Sequence, residues 1–147
     1  MLLTRILYSP LRCVLKVRFL RLLELLGEWY EKGKILVFVH SQEKCDSLFK
    51  EFLIHGHPCL SLHGAKNQID RESTISYFKS NVCNLMIPTS VAVRGLDVKE
   101  LELVVKFDAP NHYEDYVHRV GRIGRAGRKG VVVTFILRKR ILIHATM

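Results

Sequence analysis

The chain has 147 residues, enough for one domain with a real core, and 48% of them are apolar, which excludes a disordered basic tail. Its net charge of +9 is unevenly spread: residues 1–21 hold five basic side chains and no acid, residues 119–129 five more and residues 137–140 three, which leaves 22–118 at −4. A mildly acidic middle with basic patches points to a localised anion site and away from a uniformly basic nucleic-acid coat.

Residues 1–21, apolar, arginine-rich and free of acids, have the composition of an organellar transit peptide or of a chain that starts inside a longer protein; the second reading is favoured. No apolar run is long enough to span a bilayer, so no membrane partner is expected. From Phe19 to Glu31, leucines at 20, 22, 23 and 26 predict a helix against a core, ended by Gly33. Lys34–Val39 is a continuous apolar run, as expected of a parallel strand covered on both faces. Gly27, Gly33 and Lys34 imitate a phosphate-binding loop, but no Ser or Thr follows the lysine and the run precedes a strand where such a loop must follow one.

A helix is predicted over 42–54 with Cys45, Leu48, Phe49 and Phe52 inward, then a strand over 58–62 ending at His63-Gly64, a helix over 68–79 and a strand over 84–87. Pro88 lacks an N–H for a strand ladder, which predicts that this strand is shortened or ends at Ile87. The loop Thr89–Asp97 leads to a strand over 101–107, and Val131–Ile136 is the last strand. Alternating strands and helices predict an α/β fold, an open parallel sheet with helices on both faces. Ligands of such sheets sit at the carboxyl ends of the strands, where His40-Ser41, His63-Gly64, Pro88-Thr89 and Asp108–Pro110 fall. Cys13, Cys45, Cys59 and Cys83 form no Cys-x-x-Cys pair and have no histidine at ligand spacing, so no zinc site and a reducing compartment are expected.

Between the last two strands lies the most informative stretch. Tyr113, Tyr116 and Val117 have helical spacing; then Arg119, Arg122, Arg125 and Arg128 recur every third residue, interleaved with Gly121, Gly124, Gly127 and Gly130. Glycine lets a backbone approach a ligand closely, and arginine offers a charged planar fork to phosphate. Together they read as a polyphosphate or nucleic-acid contact.

The residues His118-Arg-Val-Gly-Arg-Ile-Gly-Arg125 resemble motif VI of the DEAD-box RNA helicases. Phe38-Val-His-Ser41 resembles motif IV, and Pro88-Thr-Ser-Val-Ala-Val-Arg-Gly-Leu-Asp97 motif V. Leu62-His63-Gly64 and Gln68-x-x-Arg71 are similar to the glycine turn and the Gln-x-x-Arg element of the same family. Four matches in order extend the resemblance over residues 18–136 and imply the second RecA-like lobe of a helicase, of the P-loop NTPase type. Residues 1–17 and 137–147 are left as unmatched basic, apolar flanks. The run Pro110–Arg119 with Leu60–Gly64 most resembles, in a plant-like form, the subgroup that acts on pre-mRNA at the branch site. That likeness implies a nuclear chain with spliceosomal protein partners; the alternatives are the cytoplasm, or an organelle if residues 1–21 are a transit peptide.

The resemblance implies roles residue by residue. Arg122 and Arg125 match arginine fingers for the γ-phosphate of ATP, and Gly95 and Asp97 the contacts to its ribose. Ser41, Gly64, Gln68, Arg71, Thr89 and Arg94 match contacts to a single-stranded or duplex RNA backbone, and His118 and Arg119 the coupling to the other lobe. ATP with Mg²⁺ is the implied cofactor, the metal being held mainly by the first lobe, which is also the implied partner. The chain has no Gly-x-x-x-x-Gly-Lys-Ser/Thr, no Asp-Glu-Ala-Asp and no Ser-Ala-Thr, so it is expected not to hydrolyse ATP alone. Two departures inside the motifs, Pro88 for the usual alanine and Ile123 for the usual threonine or serine, predict weakened function. The alternatives are a non-catalytic RNA-binding or regulatory module made of the same lobe, and an α/β nucleotide-binding protein unrelated to RNA.

Overall fold

The computed structural model of the chain describes residues 3–9, 14–89, 92, 101–107 and 131–137. Within these, six strands form one sheet in which every pairing is parallel: β1 (Leu3–Ser9), β2 (Lys34–Phe38), β3 (Leu60–Leu62), β4 (Leu85–Pro88), β5 (Leu101–Lys106) and β6 (Val131–Leu137). Their order across the sheet is β1-β6-β5-β2-β4-β3. Three helices accompany them: α1 (Val14–Trp29), α2 (Gln42–Ile54) and α3 (Gln68–Lys79).

The connections dictate the layers. From β1 to β2 and from β2 to β3 the chain moves across the sheet in one direction, whereas from β3 to β4 it steps back. Right-handed crossovers in opposite directions put their helices on opposite faces. Accordingly Leu22, Leu25 and Leu26 of α1 and Cys45, Leu48 and Phe52 of α2 share one core with Ile35, Val37, Val39, Leu85, Ile87, Leu103 and Val105. Phe78 of α3 is fully buried outside that cluster, as are Leu36, Phe38 and Met86, whose places in their strands alternate with the first set. The sheet is therefore covered on both faces, which is why residues 35–39 and 85–87 are continuous apolar runs.

Local signals fix the helix ends. Ser41 caps α2 by accepting from the Lys44 N–H at 3.2 Å, and Asn67 caps α3 by accepting from the Asp70 N–H at 2.8 Å. Past α2, Gly56 adopts a φ of 79°, and the His57 N–H returns to the Phe52 carbonyl at 2.8 Å.

Three expectations are corrected. The first helix starts at Val14, and Leu20 is 51% exposed, the core positions being Leu22, Leu25 and Leu26. Pro88 does not end β4 at Ile87: it is the last residue of the strand, opposite Leu62. Its carbonyl accepts from the Val39 N–H at 3.2 Å, so only the donor of this residue is lost to the ladder, and pairing resumes beyond it as the isolated Val39–Thr89 bridge. Thirdly, residues 1–17, expected only as an unmatched flank, contain Leu3–Ser9, which pairs along its whole length with β6. The helix expected from Tyr113 lies outside the described residues.

Candidate nucleic-acid interface

Because the strands are parallel, their carboxyl ends share one edge, and the chain leaves β2, β3 and β4 through residues singled out in the sequence. Val39 and Thr89 form a bridge, and the Thr89 N–H donates to the Leu62 carbonyl at 2.9 Å. That places Ser41, two residues past Val39, and Gly64, two past Leu62, on either side of Thr89 on a single rim. α2 and α3 both start at this rim, so the positive ends of two helix dipoles and their first N–H groups lie there.

Each described candidate can be placed. Ser41 is half-buried and its Oγ is engaged as the α2 cap, which leaves the hydroxyl hydrogen as a donor. Thr89, one residue past β4, is buried, and its carbonyl accepts from the Ala92 N–H at 3.2 Å. Gly64 is exposed, its φ is negative, and a Cβ built on it meets no atom within 4 Å. Neither conformation nor packing within the chain requires glycine here; the open space suits a ligand backbone in close approach.

Gln68 opens α3 on the solvent side, where its Nε2 donates to Glu72 Oε1 at 3.0 Å. Arg71 reaches away from α3: Nη2 donates to the Ala92 carbonyl at 3.0 Å and ties this helix to the turn that follows Thr89. A guanidinium has five N–H donors, so this contact leaves others for a phosphate. The arginine, read from sequence as a contact, is also a clamp on its neighbour.

The sequence puts His63 at a strand end, in the turn before Gly64, but gives it no role of its own. It is 6% exposed, beside an exposed turn, with Nε2 3.1 Å from Asp46 Oδ1 and Nδ1 accepting from the Ala65 N–H at 3.3 Å. The only local signal was its place before Gly64; its partner is 17 residues away. Two thiols lie under the sheet and are chemically quiet. Burial pushes Cys45 up to about 11, against the opposing pull of the Leu62 backbone N–H, and burial pushes Cys59 up to about 12.

Arg94, Gly95, Asp97, His118, Arg119, Arg122 and Arg125 lie outside the described residues. Among the described residues no three His, Cys, Asp or Glu side chains are grouped to hold a metal, and no helix is long and apolar enough to cross a membrane.

Residues 17–127 match the helicase conserved C-terminal domain. A rice protein described as DEAD-box ATP-dependent RNA helicase 42 is 78% identical over 119 residues, which cover 81% of this chain and 11% of the rice protein. The Gibberella zeae pre-mRNA-processing ATP-dependent RNA helicase PRP5 is 60% identical over 122 residues, 81% of this chain and 10% of that protein. Among solved structures, Saccharomyces cerevisiae Dbp5 bound to RNA and ADP BeF3 aligns with 93% of this chain and 36% of its own at a TM-score of 0.78 and 29% identity. The chain thus spans about a tenth of the curated relatives it matches.

Proposed function

We propose that this chain, which belongs to the DEAD-box RNA helicases through their conserved C-terminal RecA-like domain, is the half of the motor that grips the RNA backbone and completes the ATP site of a first lobe. The observation that carries the RNA part is the single rim on which Ser41, Gly64 and Thr89 meet two helix N-termini, with the space over Gly64 left open. Main-chain donors, a hydroxyl and helix dipoles recognise sugar and phosphate without reading bases, so the binding is sequence-independent. Gln68 and Arg71 extend the same surface, and motif V adds Arg94 as a further RNA contact.

For ATP the proposal rests on the ordered motifs. Arg122 and Arg125 stabilise charge spreading over the γ-phosphate, Asp97 with Gly95 receives the ribose hydroxyls, and His118 and Arg119 link that cleft to the partner lobe. Magnesium and the phosphate cradle belong to the first lobe. The helicase domain is taken as residues 18–136, with 1–17 and 137–147 as flanks. Kinship with PRP5 supports a place in pre-mRNA splicing, hence the nucleus, with spliceosomal proteins as partners.

Filter binding of the purified chain to single-stranded RNA across a salt series, run beside a phosphate-release assay, tests both halves. Binding is expected to be weak and non-specific, with log K falling linearly in log salt at about −0.7 per phosphate contact. No ATP turnover is expected from the chain alone. RNA-stimulated hydrolysis by the chain alone would overturn the half-motor reading, and absence of RNA binding at low salt would overturn the rim.

A further inference from the structure

A rim that binds phosphate has no obvious use for an acid, yet Asp46 stands beside it with a side chain 52% exposed. Its carboxylate is 3.1 Å from Nε2 of His63, and the other ring nitrogen of His63 accepts from the Ala65 N–H at 3.3 Å. Nδ1 can accept only with its lone pair free, and the carboxylate needs a hydrogen to receive. The two contacts together assign the neutral tautomer with its hydrogen on Nε2. The Lys66 N–H also closes onto the His63 carbonyl at 3.2 Å, so the turn carrying Gly64 is pinned twice to one residue. The imidazole therefore spans from α2, whose cap is Ser41, to the turn that presents Gly64.

We propose that His63 and Asp46 form a strut that holds the Gly64 turn in its RNA-binding geometry, neither of them touching RNA; the role rests on the RNA reading of the rim. A turn ordered before binding spares the complex the entropic cost of ordering it afterwards. A simple solvated acid at the same place predicts the opposite, because its charge only repels phosphate. Removing it raises the net charge from +9 to +10 and should then tighten binding.

The test uses the purified chain, a fluorescent single-stranded oligouridine and a salt series, with melting curves to verify that each variant folds. Asp46→Ala is expected to weaken binding about 3- to 10-fold despite the gain in positive charge. Asp46→Asn, which keeps a carbonyl acceptor for Nε2–H, should restore binding to within about twofold. His63→Asn, whose carbonyl can replace Nδ1 but cannot reach Asp46, should resemble Asp46→Ala and serves in its place if that variant does not fold. The salt slope should stay unchanged throughout, since no phosphate contact is lost. In the chain labelled with ¹⁵N-histidine, the His63 resonances should show a protonated Nε2 and an unprotonated Nδ1. Unchanged or tighter binding by Asp46→Ala, or a proton on Nδ1, overturns the strut. If the unchanged chain binds no oligouridine at low salt, the RNA reading falls and the functional role of the strut with it, whatever tautomer the ¹⁵N spectrum shows.

Discussion

Gly64→Ala separates folding from binding at the rim. In the free chain the new methyl meets nothing within 4 Å and the backbone φ is already negative, so no strain is introduced. Alanine also restricts the unfolded chain, which stabilises a protein by about 0.4–1 kcal/mol where the native conformation is accessible. For a domain of this size the melting temperature should rise by about 1–4 °C. Binding should move the other way. If the open space over Gly64 admits an RNA backbone, a methyl there forces overpacking that costs about 1–3 kcal/mol, or about 5- to 150-fold in affinity. The salt slope should hold, because no charge is removed. Thermal melts and fluorescence anisotropy on one preparation read both. A lower melting temperature would refute the open geometry at Gly64, and a raised one with wild-type affinity would refute the close approach of RNA.

Two other glycines with equally open Cβ positions should diverge. Gly27→Ala, on the exposed side of α1, is expected to stabilise by about 0.5–1 kcal/mol, and Gly56→Ala, at φ 79°, to destabilise by about 1 kcal/mol, both read from melts. Cys45 and Cys59 titrate above the ordinary thiol value of 9.0 in the folded chain, which therefore holds their protons longer than the unfolded chain does. Their stabilisation is complete below pH 9.0 and is lost as pH rises towards 11 and 12, so denaturant midpoints should fall across that window, and less steeply in a Cys45→Ala, Cys59→Ala chain. In a two-lobed chain, Arg122→Ala or Arg125→Ala should lower ATP turnover by about 10³–10⁵ with a much smaller effect on RNA binding; near-wild-type turnover in either would remove the finger assignment.

The sequence by itself determined what depends on neighbours along the chain. The bounds of α2 and α3 were legible because a helical apolar period lies between strand-like runs in both, and the caps Ser41 and Asn67 stand at their starts in the folded chain. The motifs at 38–41, 62–71, 88–97 and 118–125 were legible as well, since their spacing is a property of the string. What remained for the tertiary structure are partnerships made across the fold. β1 exists because β6, more than 120 residues away, offers it a ladder of parallel hydrogen bonds. Pro88 stays in its strand because Leu62 and Val39 flank it there, whatever its own preference. Leu20 faces water while Leu25 is buried, because the direction in which the sheet meets α1 selects which leucines of an apolar helix turn inward. The rim follows the same division. Ser41, Gly64, Thr89 and Arg71 could be named from the string, but only the sheet order puts them together. The pairing of His63 with Asp46 across two elements has no sequence signature, because its geometry exists only once the strand and the helix have packed.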